Sequence, residues 1–314
     1  VLADVRLPAE WEPQSGVLLT WPHDEGDWKG LLPRVEPALV AMTVEISRRE
    51  RVILACSDVA HTEALLADAP VNARNVRCFE VPSNDIWARD HAPVTVLRGD
   101  RPELRDFTFN GWGLKYRACD DNQISRRLAH RGAFGTTPLT TVGLVLEGGS
   151  IESDGQGTLL TTSQCLLSPN RNPHLTREEL EHELRRLLGA RRVLWVDHGW
   201  LEGDDTDAHV DTLVRFCDAH TLAYVSAGDG RGDQADGLRA MEAQLRTFRS
   251  TDGAPYRLVP LPSAERIHND DGDRLPASYA NFLIINGAVL APVYGCPQDG
   301  EALQIGRASC RERV

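Results

Sequence analysis

A histidine and a carboxylate two positions apart, His209 and Asp211, lie inside the stretch GDDTDAHVDTLVRF at residues 203–216. Val210, Leu213, Val214 and Phe216 suit a strand, and on a strand that spacing predicts both polar side chains on one face. Such a pair can move a proton and hold a cation in the same small volume. Asp204, Asp205 and Asp207 just upstream leave a competing reading, a metal site. Against it, the spacing fits no EF-hand loop and no HExxH motif occurs. Two further acidic loops are Trp87-Ala88-Arg89-Asp90 and Leu146-Glu147-Gly148-Gly149. A carboxylate beside an indole is how a guanidinium is gripped, by bidentate hydrogen bonds with the cation resting on the ring. Glu147 is followed by two glycines, which let backbone or ligand approach closely. Three such loops point to a positively charged substrate.

The elements that must carry these loops alternate. Helical patterns at about 34–49, 57–68, 120–134, 174–188 and 232–250 are each followed by a β-type run, among them residues 51–56, 76–81, 144–151, 192–196 and 256–261. Thr176 three before Glu179 is a capping-box signature. A coarser repeat lies over this pattern, because a polar loop is repeatedly followed by strand, turn and strand. The segments WARDHAPVTVLRGD, EGGSIESDGQGTLLTT, DAHVDTLVRFCDAHTLAYV and ASYANFLIINGAVLAPVY each read this way, with turns at Asp154-Gly155, near Asp218–His220 and at Asn286-Gly287. The leading polar residues Asp90, Glu147, His209 and Asn281 recur at intervals above about 50 residues, which suggests a ring of like units whose centre is the site.

Composition narrows the partners. The 314 residues are 41% hydrophobic and 25% charged, an ordinary globular balance. A net charge of -12 without any Lys/Arg cluster argues against nucleic acid. No apolar run approaches the roughly 18 residues of a membrane span, and residues 1–12 are too charged for a signal peptide. Seven scattered cysteines without CxxC spacing read as reduced thiols in a cytoplasmic protein.

Taken together, LPAEWEPQSGVLLTWP, WARDHAP, LEGGSIESDGQGTLLTTSQCLLSPNRNP, GDDTDAHVD and SYANF resemble the agmatine deiminase family, from about Leu7 to Tyr294. The resemblance implies an α/β fold, a five-bladed α/β propeller (pentein) with pseudo-fivefold repeats, here with its last unit incomplete. It implies hydrolysis of agmatine to N-carbamoylputrescine and ammonia, a step toward putrescine, with no metal or organic cofactor. By matching motif, Asp90 and Asp211 would bind the guanidinium, His209 would be the general acid/base and Glu147 would support it, with Trp87 and Asn281 lining the site. Peptidylarginine is the nearest rival substrate. A metallohydrolase on residues 204–211, or a guanidinium-binding protein without turnover, are readings from other classes.

The family's nucleophilic cysteine lies in a Gly-rich segment well beyond SYANF, and none is expected in this chain. Cys296 lacks such a loop. The segment Ile305–Val314 is unpatterned and its back-translation resembles a sequencing adapter, so Cys310 is set aside with it. The expectation is therefore a single deiminase domain over residues 1–304, incomplete at its C-terminus, poorly stable and without turnover, with a non-native tail at 305–314. The oligomeric state stays open between monomer and homo-oligomer.

Overall fold

The computed structural model describes residues 5–309, a mixed α/β chain. They group into two compact units, one of Pro13–Val96 with Asp100–Gly148, the other of the chain up to Glu12, Leu97–Gly99 and the chain from Gly149 onward.

In the first unit, Gly16–Thr20, Arg51–Cys56 and Val76–Glu80 form a parallel sheet, connected by the helices Leu32–Ser47 and Val59–Ala67. The middle strand reads RVILAC, and Val52, Leu54 and Ala55 are fully buried, as a parallel strand covered on both faces requires. The helix Ile124–His130 places Ile124 and Leu128 against Ala55, Phe79 and Val81. Also in this unit, Leu139–Val145 pairs parallel with Arg101–Thr108. Between Phe107 and Thr108 the register slips, Phe107 facing Val142 but Thr108 facing Val145. Such a bulge re-aims the strand that carries it, and Glu147 follows two residues after the strand ends. The expected strand over 144–151 is corrected accordingly: Leu139–Val145 stops, Gly148–Ser150 makes a 3-10 turn, and a new strand runs over Ile151–Ser153.

The second unit repeats one motif. The hairpin Ile151–Ser153/Thr158–Thr162 leads to the helix Arg177–Leu188 and then to Arg192–Val196, parallel to Thr158–Thr162. The hairpin Val214–Asp218/Thr221–Val225 leads to the helix Asp233–Leu245 and then to Arg257–Leu261, parallel to Thr221–Val225. A third hairpin, Leu283–Ile285/Ala288–Leu290, turns at Asn286-Gly287, where Gly287 takes φ 73°, and is followed by the helix Asp299–Ser309. Thr176 and Glu179 form the expected capping box. Val214, Phe216, Leu222, Leu238, Met241 and Ile284 sit at the heart of this unit's core.

Two expectations fail locally. Residues 305–309 continue the last helix, and Ile305 packs against the core beside buried Ala302, so this part of the expected unpatterned tail is structured; Cys310 and the rest of the tail lie outside the described residues. Residues 278–282, SYANF, form a loop ahead of Leu283–Ile285 rather than a strand.

Candidate active site

His209 and Asp211 do not lie on a strand. Asp211 sits in a 3-10 turn, Val210–Thr212, with His209 at its start, and the strand begins only at Val214. The cause lies upstream, where Asp207 and Ala208 take φ of 66° and 62°, a left-handed conformation uncommon outside glycine. Both site residues are buried, His209 at 2% and Asp211 at 4% exposure. Thr212 Oγ1 donates to the His209 carbonyl at 2.8 Å, and Ser278 Oγ donates to the Thr212 carbonyl at 2.6 Å. The SYANF loop thus braces the turn that carries Asp211. Asn281, in that loop, is exposed.

Two of the three aspartates that suggested a metal site, Asp204 and Asp207, are engaged in holding the loop. Asp204 accepts from Thr206 N–H, Thr206 Oγ1 and Ala208 N–H at 3.2, 2.6 and 2.7 Å, the side-chain-to-backbone turn typical of aspartate. Asp207 pairs with Arg171 at 2.6 Å. The metallohydrolase reading therefore loses two of its ligands.

Arg215, in the strand that follows, is buried between Glu152 at 2.5 Å and Glu10 at 2.6 Å, and donates to the carbonyls of Ala280 and Phe282. Burial works to lower its pKa, but the carboxylates of Glu152, Glu10 and Asp211 outweigh burial and hold the guanidinium above its ordinary value. A permanent cation is thereby fixed in the field of Asp211.

The expectation that no site thiol is present is corrected by Cys165. It lies on the short helix Ser163–Leu166, whose cap is Thr162 Oγ1 accepting from Cys165 N–H at 3.3 Å. Its Sγ is within 4.8 Å of a ring nitrogen of His209, and the residue is buried. Sequence reasoning passed over it because a cysteine between apolar residues reads as core. Cys296, by contrast, contacts Tyr279 Oη at 3.0 Å and Asp299 at 3.6 Å in the turn before the last helix.

In the first unit, Asp90 lies on the short helix Ala88–His91 and is 9% exposed. It accepts from the indole N–H of Trp112 at 2.9 Å. Sequence reading missed Trp112; the signal was Gly111 and Gly113 on either side of a tryptophan. Residues 111–114 form a left-handed turn with φ of 69°, 54°, 81° and 67°, and a Cβ on Gly111 would meet the Tyr116 carbonyl oxygen at 2.2 Å. Trp87 is 49% exposed and lies 6.2 Å from Trp28, whose indole donates to Asp85 at 2.8 Å. Glu147 is fully buried. A Cβ on Gly148 would sit 2.1 Å from the Arg89 carbonyl oxygen, so the Glu147 loop and the Asp90 loop touch backbone to backbone. One unit therefore presents Trp87, Asp90 and Glu147, and the other His209, Asp211 and Cys165.

The model of the Porphyromonas-type peptidyl-arginine deiminase family matches residues 6–314. The chain belongs to this family. It is 34% identical over 325 residues to the agmatine deiminase of Stutzerimonas stutzeri, covering 96% of this chain and 86% of that protein. It is 33% identical to the agmatine deiminase of Medicago truncatula, with 96% of this chain and 87% of that protein covered. Among solved structures, a cysteine-to-serine variant of the C. jejuni agmatine deiminase with substrate bound superposes with a TM-score of 0.89 at 30% identity, covering 98% of this chain and 89% of that one. The mixed α/β fold is that of this enzyme.

Proposed function

We propose that the protein is an agmatine deiminase, releasing ammonia from the guanidinium of agmatine and leaving N-carbamoylputrescine. The observation that carries this reading is the match to agmatine deiminases along 96% of the chain, with the expected acid/base, His209, buried beside a thiol.

A guanidinium resists attack because its charge is spread over three nitrogens. Carboxylates that fix its plane and localise that charge make the central carbon electrophilic, and Asp90 and Asp211 are assigned this role. A cysteine thiolate then adds to the carbon; Cys165 is the described thiol nearest His209. His209 protonates the departing nitrogen, ammonia leaves, and an S-amidino enzyme remains. Water, deprotonated by the same histidine, adds to that carbon and expels the thiolate with the ureido product. Glu147, buried, is assigned to support His209, with Trp87 and Asn281 lining the substrate path. Thiol, histidine and water suffice for every step, so the proposal includes no metal or organic cofactor.

The family model's description favours one further reading, peptidylarginine as substrate. Six free cysteines among the described residues support a reducing, cytoplasmic compartment. No described helix is long and apolar enough to cross a membrane. The test is steady-state ammonia release from agmatine, an N-acyl-arginine amide and free arginine. Agmatine is expected to give the highest kcat/KM, with turnover abolished by thiol reagents and unchanged by chelators. A folded protein that releases ammonia from none of the three would overturn the deiminase reading.

A further inference from the structure

Two consecutive non-glycine residues in the left-handed region, Asp207 and Ala208, are sterically unfavourable and persist only where surrounding contacts over-determine them. The contacts that do so converge from three directions. Asp204 takes the amides of Thr206 and Ala208, and Thr162 Oγ1 donates to the Ala208 carbonyl at 2.7 Å. Arg171 supplies the third. Its side chain is fully buried, one guanidinium nitrogen lies 2.6 Å from Asp207 Oδ2, and the other donates to the Thr206 carbonyl at 2.9 Å. A planar fork can hold a carboxylate and a carbonyl at once, which an ammonium cannot do with the same geometry. Directly after this clamped turn comes His209, whose own N–H is held by Thr206 Oγ1 at 3.0 Å. The backbone on both sides of Thr206 and Asp207 is thus set before the imidazole is aimed.

We propose that Arg171 is a positioning residue for the reaction. It holds Asp207 and Ala208 left-handed, and through them fixes where the His209 ring points. The proposal rests on the deiminase reading of His209 as acid/base. Loss of the clamp should leave substrate binding near normal and slow the chemical step. A glycine at 207 should make the clamp partly dispensable, because glycine takes φ near 66° without steric cost and leaves no carboxylate behind.

The experiment compares the parent chain with Arg171→Lys, Arg171→Ala, Asp207→Gly and the Arg171→Ala/Asp207→Gly double variant. Ammonia release from agmatine gives kcat and KM, and the NMR ring resonances of His209, assigned with His209→Gln, report its orientation without turnover. Arg171→Ala is expected to lower kcat about 100-fold, the cost of a misplaced catalytic group, with KM changed less than about 3-fold; Arg171→Lys falls between. The double variant should recover most of that loss and return the His209 resonances toward the parent's. Parent-like kcat and resonances in Arg171→Ala, or losses that add in the double variant, would overturn the proposal. If the parent releases no ammonia from any guanidino compound, the deiminase reading fails, and the His209 resonances alone decide whether Arg171 sets the ring.

Discussion

Trp112 and Asp90 are joined by a 2.9 Å hydrogen bond in which an indole N–H, held on a left-handed turn, donates to a buried carboxylate. The backbone strain at Trp112 is local, and its result is a donor aimed at the carboxylate assigned to the guanidinium. Trp112→Phe keeps the ring and removes that donor. It is expected to cost about 2 kcal/mol, typical of a hydrogen bond to a charged group, and to lower kcat/KM for agmatine accordingly. Chemical denaturation and initial rates check this, and parent-like kcat/KM would separate Trp112 from the function of Asp90.

Asp90→Asn and Asp211→Asn each remove the charge of a buried carboxylate proposed to bind the guanidinium, while keeping its shape. Each is expected to lower kcat/KM by roughly 100-fold or more with the melting temperature nearly kept. His209→Ala should do the same by removing the proposed acid. An Asn variant that turns over at the parent rate would strike that carboxylate from the site.

The thiols are separable. Cys165→Ser is expected to abolish ammonia release, and Cys296→Ala to leave it within about 2-fold, because only the former thiol lies beside His209. Intact-mass analysis after brief incubation with agmatine should show the amidino adduct on the parent alone. Parent-like turnover by Cys165→Ser would mean that another thiol attacks.

Stability should respond to acid through two buried groups with opposite signs. Burial pushes His91 down to about 4, so the folded protein keeps it neutral while the unfolded chain takes up a proton below about 6.5. That contribution is present at neutral pH and lost as pH falls toward 4. Burial pushes Asp121 up to about 6 despite the N–H donors of Asn84 and Asp85. The folded state then holds a proton that the unfolded chain releases near its ordinary value, so stability is lost as pH rises through 6. Over the same window the two oppose each other. Asp121→Asn keeps an acceptor for both amides and removes one slope, so its urea midpoint should rise more steeply than the parent's between pH 4.5 and 6.5. Parallel curves would show that Asp121 does not titrate there.

Much of the fold was legible because its signals are local. Asp154-Gly155 and Asn286-Gly287 announce hairpins since glycine takes φ of 70° and 73° at no cost, and Thr176 and Glu179 announce a helix start. The placement of His209 was not legible. Asp207 and Ala208 are left-handed without being glycine, held by Arg171, Asp204 and Thr162 from elsewhere in the chain, so the strand pattern of Val210, Leu213 and Val214 pointed the wrong way. Cys165 was hidden for a related reason, since a thiol facing a histidine and one facing leucines look alike in sequence. The stop at Val145 follows a register slip against Thr108 at residues 143–144, where Gly143 inside the strand pattern was a bulge signal that the strand reading passed over.

The cluster around Arg215 also dictates an order of events during synthesis. Glu10 binds a guanidinium 205 positions later in the chain and accepts from the Ile284 amide 274 positions later. At ribosomal speeds of about 5–20 residues per second, the segment around Glu10 waits on the order of tens of seconds for its partners. Once residue 148 has been made, part-way through that interval, the unit containing Pro13–Val96 and Asp100–Gly148 is fully translated, while the unit that owns Glu10 still lacks Arg215 and Ile284. The carboxylate that completes a buried cation is thus made well before the groups it binds, and a chaperone acting on nascent chains of this protein would meet Glu10 before Arg215 and Ile284 exist.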